Sequence, residues 1–336
     1  MQRLPVQSPL ASGMHELKQH VSEIGRLIPK DAPLLYCDFP IYQNFGDILI
    51  MLGTVAFLED CGNPIADSFS DLAPEKIRLA RPRDTVWLLQ GGGNFGDLWS
   101  SHQNFREQIM RAHPAERVIG LPQTLHYSSP ERLKEFARIA GAHKDLHLFW
   151  RDRVSYETAR RNFDCHNYLC PDMAHYLWPV VPPPIAGRKG GDLFLIRRDK
   201  EGAAIPEWVL THQHEFVDWR DLVPAPYKLA YRLGRAIDRL GGATRMRLPT
   251  LTVWTWLMRR LMAQMSGTFC SYDRIVTSRL HAHIFACLLG SKTVLIDNSY
   301  GKNRTYFDAW TRKLGNVEFA TADATDGNHI AERSVV

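Results

Sequence analysis

Residues 277–285 read TSRLHAHIF, an arginine and two histidines between apolar runs at 275–276 and 284–289. The pattern predicts a strand that ends near Thr277 and a helix that begins near Leu280, with Arg279 and His281 flanking the helix N-terminus. Unpaired N–H groups, the positive end of the helix dipole, a guanidinium and an imidazole then converge on one spot. That is chemistry for a bound phosphate or carboxylate beside a proton donor. His283 lies one turn on, in a supporting position. A second basic pair, Arg197 and Arg198, closes the apolar run 193–196. A guanidinium fork suits a carboxylate or phosphate, so the pair reads as an anion cradle. The open alternative is that Asp199 and Glu201 neutralise both arginines on the surface.

Acids and glycines collect in two other stretches. QNFGD (43–47) carries Asn44 and Asp47, and GGGNFGD (91–97) carries Gly92, Gly93, Asn94 and Asp97. Both follow predicted strands. Glycines there let backbone amides approach a ligand, and the aspartates could orient a sugar hydroxyl or accept its proton; equally, the aspartates could be helix caps and the glycines a tight turn. Neither stretch is G-x-G-x-x-G, so no dinucleotide fingerprint is present. In LPQT (121–124), Gln123 is a candidate hydrogen-bond donor to a substrate, while Arg151–Asp152 reads as a structural ion pair at a helix start. Cys165–His166 and His212/His214 have no partner at metal-binding spacing and read as surface or packing residues. The six cysteines form no C-x-x-C pair, which disfavours zinc, predicts no metal site, and suits a reducing cytoplasm.

These groups need strands and helices to place them. Buried-type strands are predicted in APLLYCDF, DTVWLLQ, RVIGLPQT, LHLFWRD, DLFLIRR and KTVLIDN. Helices are predicted at 14–28, about 48–59, in SPERLKEFARIA, in two amphipathic stretches after the 190s, and near 304–314. VVPPPIAGRKGG (180–191) breaks the rhythm, since three successive prolines fit neither helix nor central strand. The pattern on either side implies two α/β domains with parallel sheets. The expected divisions are an N-terminal tail and helix at 1–30, a first domain at 31–180, a linker at 181–191, a second domain at 192–320 and a tail at 321–336.

Hydrophobic residues make up 45% and charged residues 23% of the 336-residue chain, ordinary for a globular protein, and the net charge is +5. The N-terminus lacks the apolar core of a signal peptide, and no apolar run reaches the ~18 residues of a membrane span. Residues 220–260 hold nine Arg or Lys against Asp221 and Asp238. In YKLAYRLGRAIDRL, Lys228, Arg232, Arg235 and Arg239 form one helical stripe, and Leu229, Leu233, Ile237 and Leu240 another. With the nearby Trp254 and Trp256, the segment 220–262 suits an anionic membrane surface; the plain alternative is a solvated basic face over an ordinary core. No nucleic-acid motif accompanies the charge, so no nucleic-acid partner is expected.

Taken in order, NFGD, GGGNFGD, LPQT, RDRVSYE, CPDMAH, RRDKE, TSRLHAHI and DNSYGKN make the chain resemble the polysaccharide pyruvyl transferase family, in a form similar to members encoded with bacterial exopolysaccharide genes. The resemblance implies two Rossmann-like domains facing a cleft, a GT-B-like architecture. It implies phosphoenolpyruvate as co-substrate, no further cofactor, and a pyruvate ketal placed across two sugar hydroxyls. The family's Arg-Leu-His falls on Arg279, Leu280 and His281, and its second-domain arginine falls on Arg197, with Arg198 in the variable place. Its Gly-rich turn and acid fall on residues 91–94 and Asp97. DNSYGKN adds Asn298 and Tyr300 as substrate-binding candidates. The implied acceptor is a lipid-linked glycan at the cytoplasmic membrane face. His281 is the expected proton carrier, Arg279 and Arg197 the anion grip, and Asp97 or Asp47 the group that positions or deprotonates the acceptor. This grip requires that the arginines not be locked on acidic neighbours. Two competing readings are a nucleotide-sugar glycosyltransferase, with Asp297 holding the ribose, and a non-catalytic glycan-binding protein of the same fold.

Overall fold

The computed structural model describes residues 8–180, 187–198, 205–298 and 301–320. The fold is α/β, with two parallel sheets. The first contains β1 (Leu34–Cys37), β2 (Ile65–Phe69), β3 (Val86–Leu89), β4 (Gly92–Gly96), β5 (Val118–His126), β6 (Leu146–Trp150) and β7 (His166–Leu169). Its order is β2-β1-β3-β5-β6-β7, with β4 beside β5. Parallel strands need crossover connections, several of which are helical: α2 (Phe45–Cys61), α3 (Ser100–Ala112), α4 (Pro130–Ala142) and α5 (Arg153–Asn162), preceded by α1 (Pro9–Ser22). Strands β1, β3 and β6 are buried at every position, as unbroken apolar runs require of a sheet covered on both faces. Among its core side chains, Phe95 packs edge-on against Phe136 and Trp150, each pair with ring centroids 5.0 Å apart.

The helix starts are chemically specified. Ser129 caps α4 by accepting the Arg132 N–H, with Pro130 at the first position. Asp152 caps α5 by accepting the Ser155 N–H. Its neighbour Arg151 instead pairs with Asp172 at 2.7 Å. The expected Arg151–Asp152 ion pair is thus two separate structural devices.

The second sheet has β8 (Asp192–Leu195), β9 (Arg274–Thr277), β10 (Lys292–Ile296) and β11 (Val317–Ala320), ordered β11-β10-β9-β8. Short helices α6 (Glu207–Leu210) and α7 (Trp219–Leu222) follow β8. Then come α8 (Ala225–Thr244), α9 (Thr250–Cys270), α10 (Leu280–Leu289) and α11 (Lys302–Tyr306).

Packing divides the chain into two units that are each discontinuous in sequence. One holds residues 17–177 and 224–261, the other the described residues of 1–16, 178–223 and 262–336. Residues 224–261, read from sequence as part of a 192–320 domain, therefore group with the first sheet. Two long-range bonds show how: the Ser70 hydroxyl donates to Asp238, and the Trp254 indole N–H donates to the Pro40 carbonyl at 2.9 Å. The other surprise is orientation. The apolar stripe of α8 is not core: Leu229, Leu233, Ile237 and Leu240 are exposed, and the buried residues of the helix are Tyr231, Gly234, Asp238, Gly241 and Gly242. Among the described residues no helix is long and apolar enough to cross a membrane.

Candidate functional site

In the first unit the chain runs from β1 out to β2 on one side, and from β3 onward to the other. Loops leaving the carboxyl ends of β1 and β3 therefore diverge, and such switch points are where open parallel sheets bind ligands. The loop after β1 leads to Asn44, which caps α2: its Oδ1 accepts the Gly46 N–H, and its Nδ2 donates to Asp47 Oδ2 at 2.6 Å. The loop after β3 is the glycine run. Gly92 has φ +127°, open only to glycine at low cost, and a Cβ there would lie 3.5 Å from Asp47 Oδ1. A Cβ on Gly93 would lie 2.9 Å from Arg151 Nη2. The structure thus brings Asn44, Asp47, Gly92 and Gly93 together at the switch point.

Asn94 is held there by Arg106, whose Nη1 donates to the Asn94 carbonyl at 3.0 Å and whose Nη2 donates to its Oδ1. Arg106 is fully buried and pairs with Asp38 at 2.8 Å, while the other Asp38 oxygen meets His102 Nδ1 at 2.7 Å. Burial alone would lower the His102 pKa; the Asp38 charge and hydrogen bond outweigh it and hold the ring above its ordinary value. Burial raises the carboxyl pKa of the nearby Asp71, with His102 opposing and Asp38 adding. Asp38, Asp71 and His102 offer oxygen and nitrogen atoms within 4.8 Å of one another. A cation among them would compete with the Arg106 guanidinium for Asp38. Sequence reasoning missed Asp38, His102 and Arg106 altogether. The only signal was H-x-x-x-R at helical spacing on α3, and its partner lies 64 residues upstream.

Two predicted residues of this unit have structural work. Asp97 accepts from the Ser128 N–H, the Ser128 hydroxyl and the Ser129 N–H. Burial alone would raise its pKa, but these bonds outweigh it and lower it, which makes Asp97 an anchor for the loop before α4 and a weak base. Gln123 is buried, and its Nε2 donates to the Gln90 carbonyl, so it braces the glycine run from below.

In the second unit, β8 and β9 pair Leu195 with Thr277. Arg197 and Arg279 each lie two residues past that pair. The Ser278 hydroxyl accepts the Arg197 N–H at 2.9 Å, and the Thr277 hydroxyl accepts the Arg279 N–H while donating to the Leu195 carbonyl. The two arginine backbones are therefore stitched to one corner. Arg279 is the N-cap residue of α10, and His281 sits in its first turn. Asn303 Nδ2 donates to the Ser278 and Ile296 carbonyls, fixing the same corner to β10.

Arg279 forks onto Asp218, Nε to Oδ1 at 2.7 Å and Nη2 to Oδ2 at 2.6 Å. The condition that the arginines escape acidic neighbours is thus not met at Arg279. Asp218 follows Val217, which bridges to Leu195 alongside β8, so the pair is built into the strand register. Arg198 is exposed and paired with Asp221 at 3.2 Å. Its neutraliser is Asp221; Asp199 and Glu201, like Tyr300, lie outside the described residues. His283 is wholly buried, with Nε2 2.9 Å from the Thr311 hydroxyl, and belongs to the core beneath α10. Asn298 is buried and accepts the Lys302 N–H at the start of α11. Asp297 Oδ1 accepts from the Asn298 and Arg304 N–H groups, so one carboxylate oxygen of the ribose holder in the nucleotide-sugar reading is engaged by backbone.

Parallel sheets joined by helical crossovers, with arginine, histidine and carboxylate groups beyond the strand ends of each, place the chain in the α/β class. The chain belongs to the polysaccharide pyruvyl transferase family, whose pattern matches residues 44–300. EpsO of Bacillus subtilis (strain 168), a relative named for pyruvyl transfer, is 35% identical over 301 residues, covering 88% of this chain and 91% of that protein. Pyruvyl transferase 1 of Schizosaccharomyces pombe (strain 972 / ATCC 24843) is 30% identical over 300 residues, 81% of this chain and 68% of that one. A crystal structure of an uncharacterized protein, KP1_0663 from Klebsiella pneumoniae subsp. pneumoniae NTUH-K2044, shares the fold. Its TM-score is 0.62 at 18% identity, over 91% of this chain and 99% of that chain.

Proposed function

We propose that this polysaccharide pyruvyl transferase takes its pyruvyl group from phosphoenolpyruvate and sets it as a ketal across two hydroxyls of one sugar in a lipid-linked repeat unit. The observation that carries the reading is the β8–β9 register, which puts Arg197 and Arg279 at equivalent positions beside the N-terminus of α10. Such an end already favours an anion, and phosphoenolpyruvate brings a carboxylate and a phosphate.

The steps balance as follows. His281 as imidazolium gives a proton to the methylene carbon, and positive charge develops at C2. A sugar hydroxyl adds there and loses its proton. A second hydroxyl of the same sugar then displaces the phosphate, closing the ketal and again losing a proton. One proton is taken up and two are released, the second leaving with phosphate or solvent. Arg197 and the α10 N–H groups would offset charge on the departing phosphate. Asp218 occupies two of the five N–H donors of Arg279, which neutralises part of its charge and fixes the plane of the fork. Asp47, held by Asn44 at the switch point, is the better placed of the two aspartates to meet the acceptor; Asp97 is committed to its loop.

Mixing the protein with phosphoenolpyruvate and a panel of oligosaccharides, with products read by mass spectrometry, tests this directly. A mass gain of one ketal per acceptor with stoichiometric phosphate release is expected. Transfer from a nucleotide sugar in place of phosphoenolpyruvate would overturn the reading.

A further inference from the structure

Helix α8 is amphipathic in the wrong sense for a core helix. At 100° per residue, Leu229, Leu233, Ile237 and Leu240 fall within an arc of about 80°, and all four are more than 40% exposed. The inward arc is made of Tyr231, Gly234, Asp238 and Gly241. Close approach explains the glycines: a Cβ on Gly234 would lie 3.0 Å from Ile41 and 3.2 Å from Trp254. Asp238 is the sole acid between Asp221 and Asp273 in the sequence, and it is buried on Ser70. The sequence has therefore put its small and acidic residues inward and its large apolar ones outward, so the exposed stripe is not a leftover of poor packing.

The surroundings say what the stripe faces. Exposed Arg232 and Arg239 border it along α8, and exposed Arg245 and Arg247 continue the charge past the helix end. On α9, Val253 and Trp256 are also exposed, with the Arg260 guanidinium 3.8 Å above the Trp256 ring. An apolar strip with arginines along one edge and no exposed acid on its own helix, and an arginine-capped tryptophan on the next helix, matches the boundary between anionic headgroups and acyl chains. A second copy of the chain would bring the same positive edge to the contact and repel it.

We infer that the α8–α9 surface docks on an anionic lipid bilayer, with Leu229, Leu233, Ile237 and Leu240 inserted at the acyl boundary and the flanking arginines on the headgroups. The inference does not depend on the proposed pyruvyl transfer, and the docking would hold whatever the acceptor proves to be.

The test is flotation of the full chain with phosphatidylcholine vesicles, with and without phosphatidylglycerol. Binding is expected only with the anionic lipid at ~0.1 M salt, and it should weaken toward ~1 M, where the Debye length shrinks from about 10 to about 3 Å. The combined variant Leu229→Ser, Leu233→Ser, Ile237→Ser, Leu240→Ser should bind at least about tenfold more weakly. Arg232→Glu with Arg239→Glu should lose the lipid preference. Both variants should keep the wild-type melting profile, because every altered side chain is exposed. No flotation of the wild type, flotation indifferent to both variants, or concentration-dependent dimerisation abolished by the four serines would each overturn the inference.

Discussion

Replacing Asp38 with asparagine should destabilise the first unit more than most single changes can. Asp38 is 2% exposed and carries the charge opposite Arg106, a guanidinium with no exposed surface. Asparagine keeps the size and one acceptor oxygen but leaves Arg106 as a buried cation without its counter-charge. Breaking one side of a buried pair costs about 3–5 kcal/mol. For a unit of this size each kcal/mol moves the midpoint by about 2–4 °C, so the first calorimetric transition should fall by roughly 10 °C at pH 7. The second unit's transition should stay where it is. A second readout comes from the His102 ring. Its pKa is held up chiefly by Asp38 against burial; in the variant burial and the Arg106 charge are opposed only by the Asp71 charge, so the pKa should drop below that of the wild type, as followed by the imidazole proton resonances through a titration. The sign of the pH effect follows. A raised folded pKa gives stability that is fully present below the unfolded value of ~6.5 and lost as pH rises through the folded value. The His102 share of the gap should therefore be largest in mild acid and shrink on the alkaline side. A midpoint shift under ~2 °C together with an unmoved His102 titration would refute the account of this cluster.

Two further outcomes follow from the strand-end geometry. Arg279→Lys keeps the charge but cannot bridge both Asp218 oxygens, so turnover with phosphoenolpyruvate should fall by about a hundredfold or more while the melting profile changes little; near-normal turnover would show that the fork is unimportant. Asp97→Asn should lower the melting point at pH 7. Because the folded pKa of Asp97 is depressed, that gap should close as pH falls below ~4 through the folded value, and a pH-independent gap would count against the loop-anchor role.

Much of the scaffold was legible in local pattern. The strand runs, the helix start at Ser129, and the placing of Arg197 and Arg279 just beyond strand ends all follow from short-range physics, and the structure has them. What local pattern could not supply is pairing across distance. Nothing in FVDWRDL marks Asp218 as the partner of an arginine 61 residues on, and nothing in LYCDFP announces that Asp38 will bind a helix 64 residues later. His283 was read as a site residue because it stands one turn from Arg279. Helical phase alone could not say that this face of α10 turns into a core closed by Thr293 and Thr311. Nor could the motifs say that Asp97 would hold Ser128 and Ser129, or that the Gln123 amide would donate to the Gln90 carbonyl. On α8 the periodicity was legible but left two directions open, since amphipathicity shows that two faces differ but not which one meets the protein; the structure turns the leucines outward.

The interleaving of the two units bears on how the chain is made. Synthesis runs from the N-terminus, so the first sheet is complete in sequence at residue 169, yet Asp238 and Trp254, which tie down Ser70 and Pro40, are still to be translated. Until they arrive, the partly built body must keep that flank open while β8, a strand of the other sheet, is being added. A fragment cut at the proline-rich junction would be held in that unfinished condition, with the seat of α8 bare.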